Sequence, residues 1–157
     1  MADQVYTVTQ ALEKAMKYCA YQERCQSEVR QKLRQFQITS DQREEVISLL
    51  IQQDFLNEER FSQAYARGKF RMNHWGKKKI KLALKQKDIS EYCIKKGIQE
   101  IEESEYSEVL TNLIEKTYEK NRGTQEYKRV AKTAQYVIGR GFEADLVWNE
   151  IKQLTND

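Results

Sequence analysis

The chain has 157 residues, 27 of them basic and 24 acidic, with a charged fraction of 32% and a mean hydropathy of −0.84. That length suits one domain or a few small units sharing a core. There is no run of 18 apolar residues, and MADQVYTVTQ does not place a basic segment before an apolar one, so neither a membrane span nor a signal peptide is expected. Three cysteines with no CxxC spacing fit reduced thiols in a cytoplasmic protein, with no disulfide frame and no metal.

In chain order, the apolar spacing is helical. Leu12, Ala15, Met16 and Cys19 fall at intervals of three and four, as do Val29, Leu33 and Phe36, then Val46, Leu49 and Leu50. Phe61, Ala64 and Tyr65 follow, then Ile80 and Leu84, then Leu110, Leu113, Ile114 and Thr117. Val130, Ala134 and Val137, and finally Leu146, Val147, Ile151 and Leu154, complete the series. Thr39 with Gln42 reads as a capping box, and Asn57 before two glutamates reads as a helix start; Ser90 and Ser104 are weaker starts. Gly76, Gly123 and Gly139–Gly141 mark corners, and proline is absent. About nine helices of roughly 8–16 residues are predicted, with no strand.

These helices recur. Leu33 stands five residues before Ile38, Leu84 five before Ile89, and Val137 five before Phe142, at offsets of 51 and 53 residues. Before each closing apolar residue stands Gln37, Asp88 or Gly141, which is expected to be left-handed so that the next side chain folds back on the last turn. The period predicts an all-α fold of three tandem three-helix repeats in an elongated, curved array, right-handed or solenoid-like. The expected limits are a flexible segment 1–8, then repeats at 9–56, 57–103 and 104–157.

Charge is uneven along this array. Residues 60–96 carry 12 basic and 2 acidic groups, net +10, whereas 1–59 sum to −3, 97–126 to −5 and 127–157 to +1. No acid lies between Arg60 and Lys87, so local ion pairs cannot neutralise this stretch. A charge run is most often a solvated face, but this one favours a polyanion or an acidic protein groove as partner.

Signals for catalysis are poor. His74 is the only histidine, and no phosphate loop, dinucleotide fingerprint or nucleophile elbow appears. The carboxylates of EEVISLL and IEESEYSEV lack histidine partners and read as solvated faces. No catalytic residue, cofactor or metal ligand is assigned, and the chain is expected not to be an enzyme. The candidate site is a binding patch: Arg67, Lys69, Arg71, Lys77, Lys78, Lys79, Lys81 and Lys85. Trp75, at a corner glycine, is either a stacking surface or a lid on the core, with the core favoured. Nothing reads bases, so nucleic-acid contact would be to the backbone and steeply salt-dependent.

DFLNEERFSQAYARGKFRMNHWGKKKIKLALKQKDI (54–89) resembles the second unit of the RecX family, with its Asn-Glu-Glu-Arg-Phe turn, basic cluster and Leu–Ile ending. ALEKAMKYCAYQERCQSEVRQKL (11–33) and YKRVAKTAQYVIGRGFEADLVWNEI (127–151) are similar to its first and third units. Departures from the family pattern are Cys25 for a capping Ser, Lys77 for a common Pro, Asp88 for a common Gly, and lysines for several arginines. The resemblance implies a cytoplasmic, monomeric, non-catalytic modulator of DNA repair, homologous recombination and the SOS response. Its expected partner is RecA recombinase on its DNA filament, with inhibition of ATPase, strand exchange and co-protease activity. It also implies binding to single- and double-stranded DNA without strong sequence preference. Two other readings remain: a general nucleic-acid-binding protein with no RecA target, and a helical adaptor whose basic face docks an acidic protein.

Overall fold

The computed structural model describes residues 6–156, which form nine α-helices and no strand. They are α1 (Val8–Tyr21), α2 (Gln26–Leu33), α3 (Ser40–Gln52), α4 (Glu58–Asn73), α5 (Lys77–Gln86), α6 (Glu91–Ile98), α7 (Glu103–Lys120), α8 (Glu126–Gly139) and α9 (Ala144–Thr155). A 3₁₀ turn, Arg34–Phe36, extends α2.

Side chains at the helix starts satisfy backbone donors that have no partner within the helix. Thr39 Oγ1 accepts the Gln42 N–H at 3.1 Å, and Gln42 Oε1 accepts the Thr39 N–H at 2.9 Å. Asn57 Oδ1 accepts the Arg60 N–H at 2.9 Å and Ser90 Oγ that of Cys93 at 3.2 Å. Cys25 also sits in a capping box: Glu28 accepts its N–H at 3.1 Å, and the thiol lies 3.2 Å from Ser27 Oγ. Ser104 is not a start: α7 begins at Glu103 after Glu102, which makes no side-chain cap. Glu103 and Glu105 instead place acid against the positive end of the helix.

Helix ends carry the repeat. Gln37, Asp88 and Gly141 have φ of 54°, 61° and 102°, and the residues that follow them, Ile38, Ile89 and Phe142, are buried. At α5 the motif is complete: Ile89 N–H reaches Leu84 O at 3.2 Å and Asp88 N–H reaches Lys85 O at 3.0 Å. Asp54 and His74 are left-handed too, at 63° and 54°.

The chain divides into two compact units, one running through Ala64 and including Leu84–Gly97, the other made of Tyr65–Ala83 and the chain from Ile98 onward. In the first, Ala11, Ala15, Val29, Leu33, Val46 and Leu50 are wholly excluded from solvent and pack with Phe36 and Leu56. Of the segment 1–8, residues 1–5 lie outside those described; the Tyr6 N–H donates to Phe36 O at 3.2 Å, and Thr7 caps α1.

Tyr106 of α7 is the centre of the second unit. Its ring, 2% exposed, stacks on Phe142 at 5.1 Å and lies 5.7 Å from Phe70. Gly76 and Gly141 touch backbone to backbone: Gly76 N–H donates to Arg140 O at 2.8 Å and Lys78 N–H to Gly141 O at 2.9 Å. A Cβ on Gly76 would lie 2.2 Å from the Gly141 carbonyl carbon, so only glycine fits.

Candidate functional site

The α4–α5 corner carries most of the basic residues singled out above. His74 turns the chain in a left-handed conformation after α4, and its N–H still donates to Phe70 O at 3.0 Å. The corner is then fixed by the two backbone bonds of Gly76 and Lys78. With Ile80 and Leu84 fully buried, helical geometry sends Lys78, Lys81 and Lys85 outward, and all three are exposed.

Three of the eight cations are neutralised within the second unit. Arg67 pairs with Glu100, Lys77 with Glu103 at 2.6 Å, and Arg71 with Glu105 at 3.7 Å. The sequence-based expectation of uncompensated charge therefore holds only in part. The partners come from the acidic stretch that follows, about 30 residues away, beyond any i,i+4 argument. Lys77 is the most deeply committed, its side chain 14% exposed and its ammonium 4.5 Å from the Tyr106 ring centroid. Its backbone N–H donates to the Tyr106 hydroxyl at 3.0 Å, a bond that proline at this position could not make.

Lys69 and Lys79 both lie over the Trp75 ring, at 4.8 and 4.5 Å from its centroid. The indole is half-buried, neither a sealed core residue nor an open stacking platform. The ring quadrupole attracts each ammonium, which offsets part of the repulsion between the two. Of the aromatic residues on α4, Phe61 and Phe70 are buried, while Tyr65 is half-buried with the Lys69 ammonium 5.5 Å from its ring centroid. The surface left for a partner is then Lys78, Lys81 and Lys85, flanked by the Lys69–Trp75–Lys79 group. Nothing in the local sequence marks Tyr106 as the residue organising this corner; its apolar neighbours at helical spacing are the only hint.

Among the described residues, no three His, Cys, Asp or Glu side chains cluster as metal ligands would, and no helix is long and apolar enough to cross a membrane.

Fold and site together define an all-α chain of three-helix units in tandem with a lysine face on its fifth helix. Family models described as the first, second and third three-helix domains of RecX match residues 11–50, 57–98 and 103–149. The chain belongs to the RecX family of regulatory proteins. It is 26% identical to the "Regulatory protein RecX" of Clostridium perfringens strain 13 over 134 residues, which cover 84% of this chain and 62% of the relative. It is 29% identical to that of Clostridium acetobutylicum over 136 residues, covering 84% and 61%. The chain thus spans about three fifths of the length of these relatives. The crystal structure of RecX from Lactobacillus salivarius superposes with a TM-score of 0.85 at 26% identity, covering 96% of this chain and 97% of that one.

Proposed function

We propose that this chain is a non-catalytic, monomeric, cytoplasmic regulator that docks along the groove of RecA–DNA filaments and inhibits their ATPase, strand-exchange and co-protease activities. The observation that carries the reading is the lysine face of α5. Lys78, Lys81 and Lys85 recur at helical spacing, all exposed, with no acid between residues 60 and 87. Family membership supplies RecA as the partner that this surface would meet. Lysine is a point charge without the planar fork of arginine, which suits phosphate neutralisation and not base reading. The DNA contact is therefore expected to be indifferent to sequence, with an affinity that falls as salt rises.

The test is ATP hydrolysis by RecA filaments preformed on single-stranded DNA, with RecA in excess over added protein. Hydrolysis is expected to fall at substoichiometric amounts. Reversing Lys78, Lys79 and Lys81 to Glu should abolish that effect while helicity is kept; Lys77 is left intact because its pair with Glu103 is structural. Unchanged inhibition in the reversed variant removes α5 from the mechanism. No inhibition by the native chain, with retained affinity for naked DNA, selects the reading as a general helical nucleic-acid-binding protein without a RecA target.

A further inference from the structure

The segment 97–126 sums to −5, yet among the described residues neither of its two lysines, Lys116 and Lys120, forms an ion pair. Between α7 and α8 there is a concavity of about 380 Å³. Lys116 and Lys120 stand one turn apart on α7, Lys132 joins them from α8, and no carboxylate lines the space. Among the described residues none of these three lysines is ion-paired. Glu119, the acid next to Lys120 in sequence, is held instead by Arg122 at 3.0 Å and Arg129 at 3.8 Å.

The other walls are of a different character. Tyr136 is 51% exposed and presents an aromatic ring to the same space. Thr117 and Asn121 add polar groups. The Thr117 hydroxyl donates to Leu113 O at 2.7 Å and the Asn121 amide donates to Thr117 O at 2.8 Å, which leaves the Asn121 side-chain oxygen as an acceptor. Three cations without a counter-ion call for a ligand with more than one negative charge, and an exposed phenol ring calls for a planar, stackable group. A nucleotide combines the two, and the volume lies near the lower end of small-molecule sites. A duplex does not fit this description, because its base faces are covered within the stack.

We propose that this concavity binds a nucleotide unit, with phosphate among Lys116, Lys120 and Lys132 and the base against Tyr136. The nucleotide is either a free nucleoside triphosphate or one residue of a single strand. Lysines would neutralise the phosphate without a fixed geometry, and stacking on Tyr136 would tolerate any base. The inference rests on the third family domain alone. It needs neither RecA nor the α5 face, so it stands or falls independently of the function proposed above.

The test follows backbone amides of the ¹⁵N-labelled full chain at low salt, without RecA, on titration with oligothymidylate and separately with ATP. Amides of residues 113–121 and 132–136 are expected to shift. Shifts with ATP assign the site to free nucleotides, and shifts with oligothymidylate alone assign it to a strand. If those amides stay still with both probes, the site is wrong, even where α5 responds. In a strand-binding case, replacing Lys116, Lys120 and Lys132 together by Gln should lower the slope of log affinity against log salt by about 2. Tyr136→Ala should weaken binding roughly tenfold, and Tyr136→Phe should restore it. An unchanged slope in the triple Gln variant overturns the assignment to a strand. If ATP is the probe that shifts the amides, an unchanged ATP affinity in that variant overturns the assignment to free nucleotides.

Discussion

Tyr106→Phe isolates the polar role of the residue at the centre of the second unit. The ring would keep its place between Phe70 and Phe142, so no apolar packing is lost. What disappears is one hydroxyl that accepts the Lys77 N–H at 3.0 Å and donates to the Glu143 carboxylate. Lys77 N–H is one of the α5 donors without an intrahelical partner, and it would be left at a part-buried site without its acceptor. A lost hydrogen bond to a charged acceptor, together with an orphaned donor, costs about 1.5–3 kcal/mol. Burial first, and the Glu143 bond second, push the Tyr106 hydroxyl well above the ordinary phenol range, so it stays protonated and able to donate at any working pH. Equilibrium urea denaturation should show the cost as a midpoint lower by roughly 1 M at unchanged slope. Tyr118→Phe is the control. Its hydroxyl also donates to a glutamate, Glu126 at 2.6 Å, but at a solvent-exposed site, and its midpoint should not move measurably. Equal midpoints for the two variants would refute the claim that burial of the Tyr106 hydroxyl gives the bond its weight.

Gly76→Ala should destabilise by about 3 kcal/mol or prevent folding, because the new Cβ meets backbone that cannot step aside; denaturation of the purified variant checks it. Gln37→Gly should raise stability by about 0.5–1 kcal/mol, since relief of a left-handed non-glycine residue exceeds the added freedom of the unfolded chain. The Cys19 thiol is pushed up to about 11, chiefly by burial, so the folded state holds its proton after the unfolded chain has lost it. The stability this proton contributes is present below the ordinary thiol value of 9.0 and is lost as pH rises towards about 11. Denaturation midpoints between pH 8 and 11 should therefore fall more steeply for the native chain than for Cys19→Ala. Under native conditions a thiol reagent should label Cys93, which is partly exposed, well before the buried Cys19 and Cys25.

Much of the fold could be read from local residues because its signals are local. The left-handed positions Gln37, Asp88 and Gly141 were legible from a five-residue spacing repeated three times, and Thr39 and Asn57 from the chemistry of helix caps. His74 and Asp54 were not, since neither side chain announces a positive φ. The site was legible only in part. The lysines of α5 stand out in the sequence, but the pairing of Lys77 with Glu103 depends on how α7 returns to the corner. Summing charge by segment also misled: Glu100, Glu103 and Glu105 are occupied with Arg67, Lys77 and Arg71, while Lys116, Lys120 and Lys132 lie apart from them. Side chains about 10 to 35 positions apart meet through packing, which no window along the chain records.

The division of the chain bears on how the protein is made. Neither compact unit is one continuous stretch, and the chain passes from one to the other at residues 64/65, 83/84 and 97/98. Phe70 leaves the ribosome long before Tyr106 and Phe142, its aromatic neighbours. At 5–20 residues per second, the 72 residues separating Phe70 from Phe142 take roughly 4–14 s to synthesise. Within that interval Phe70 lacks first both rings of its aromatic cluster and then, once Tyr106 has emerged, still Phe142. A nascent chain arrested between the second and third family domains should accordingly be a chaperone client, and cutting the gene at that border should yield a sticky fragment in place of a stable module.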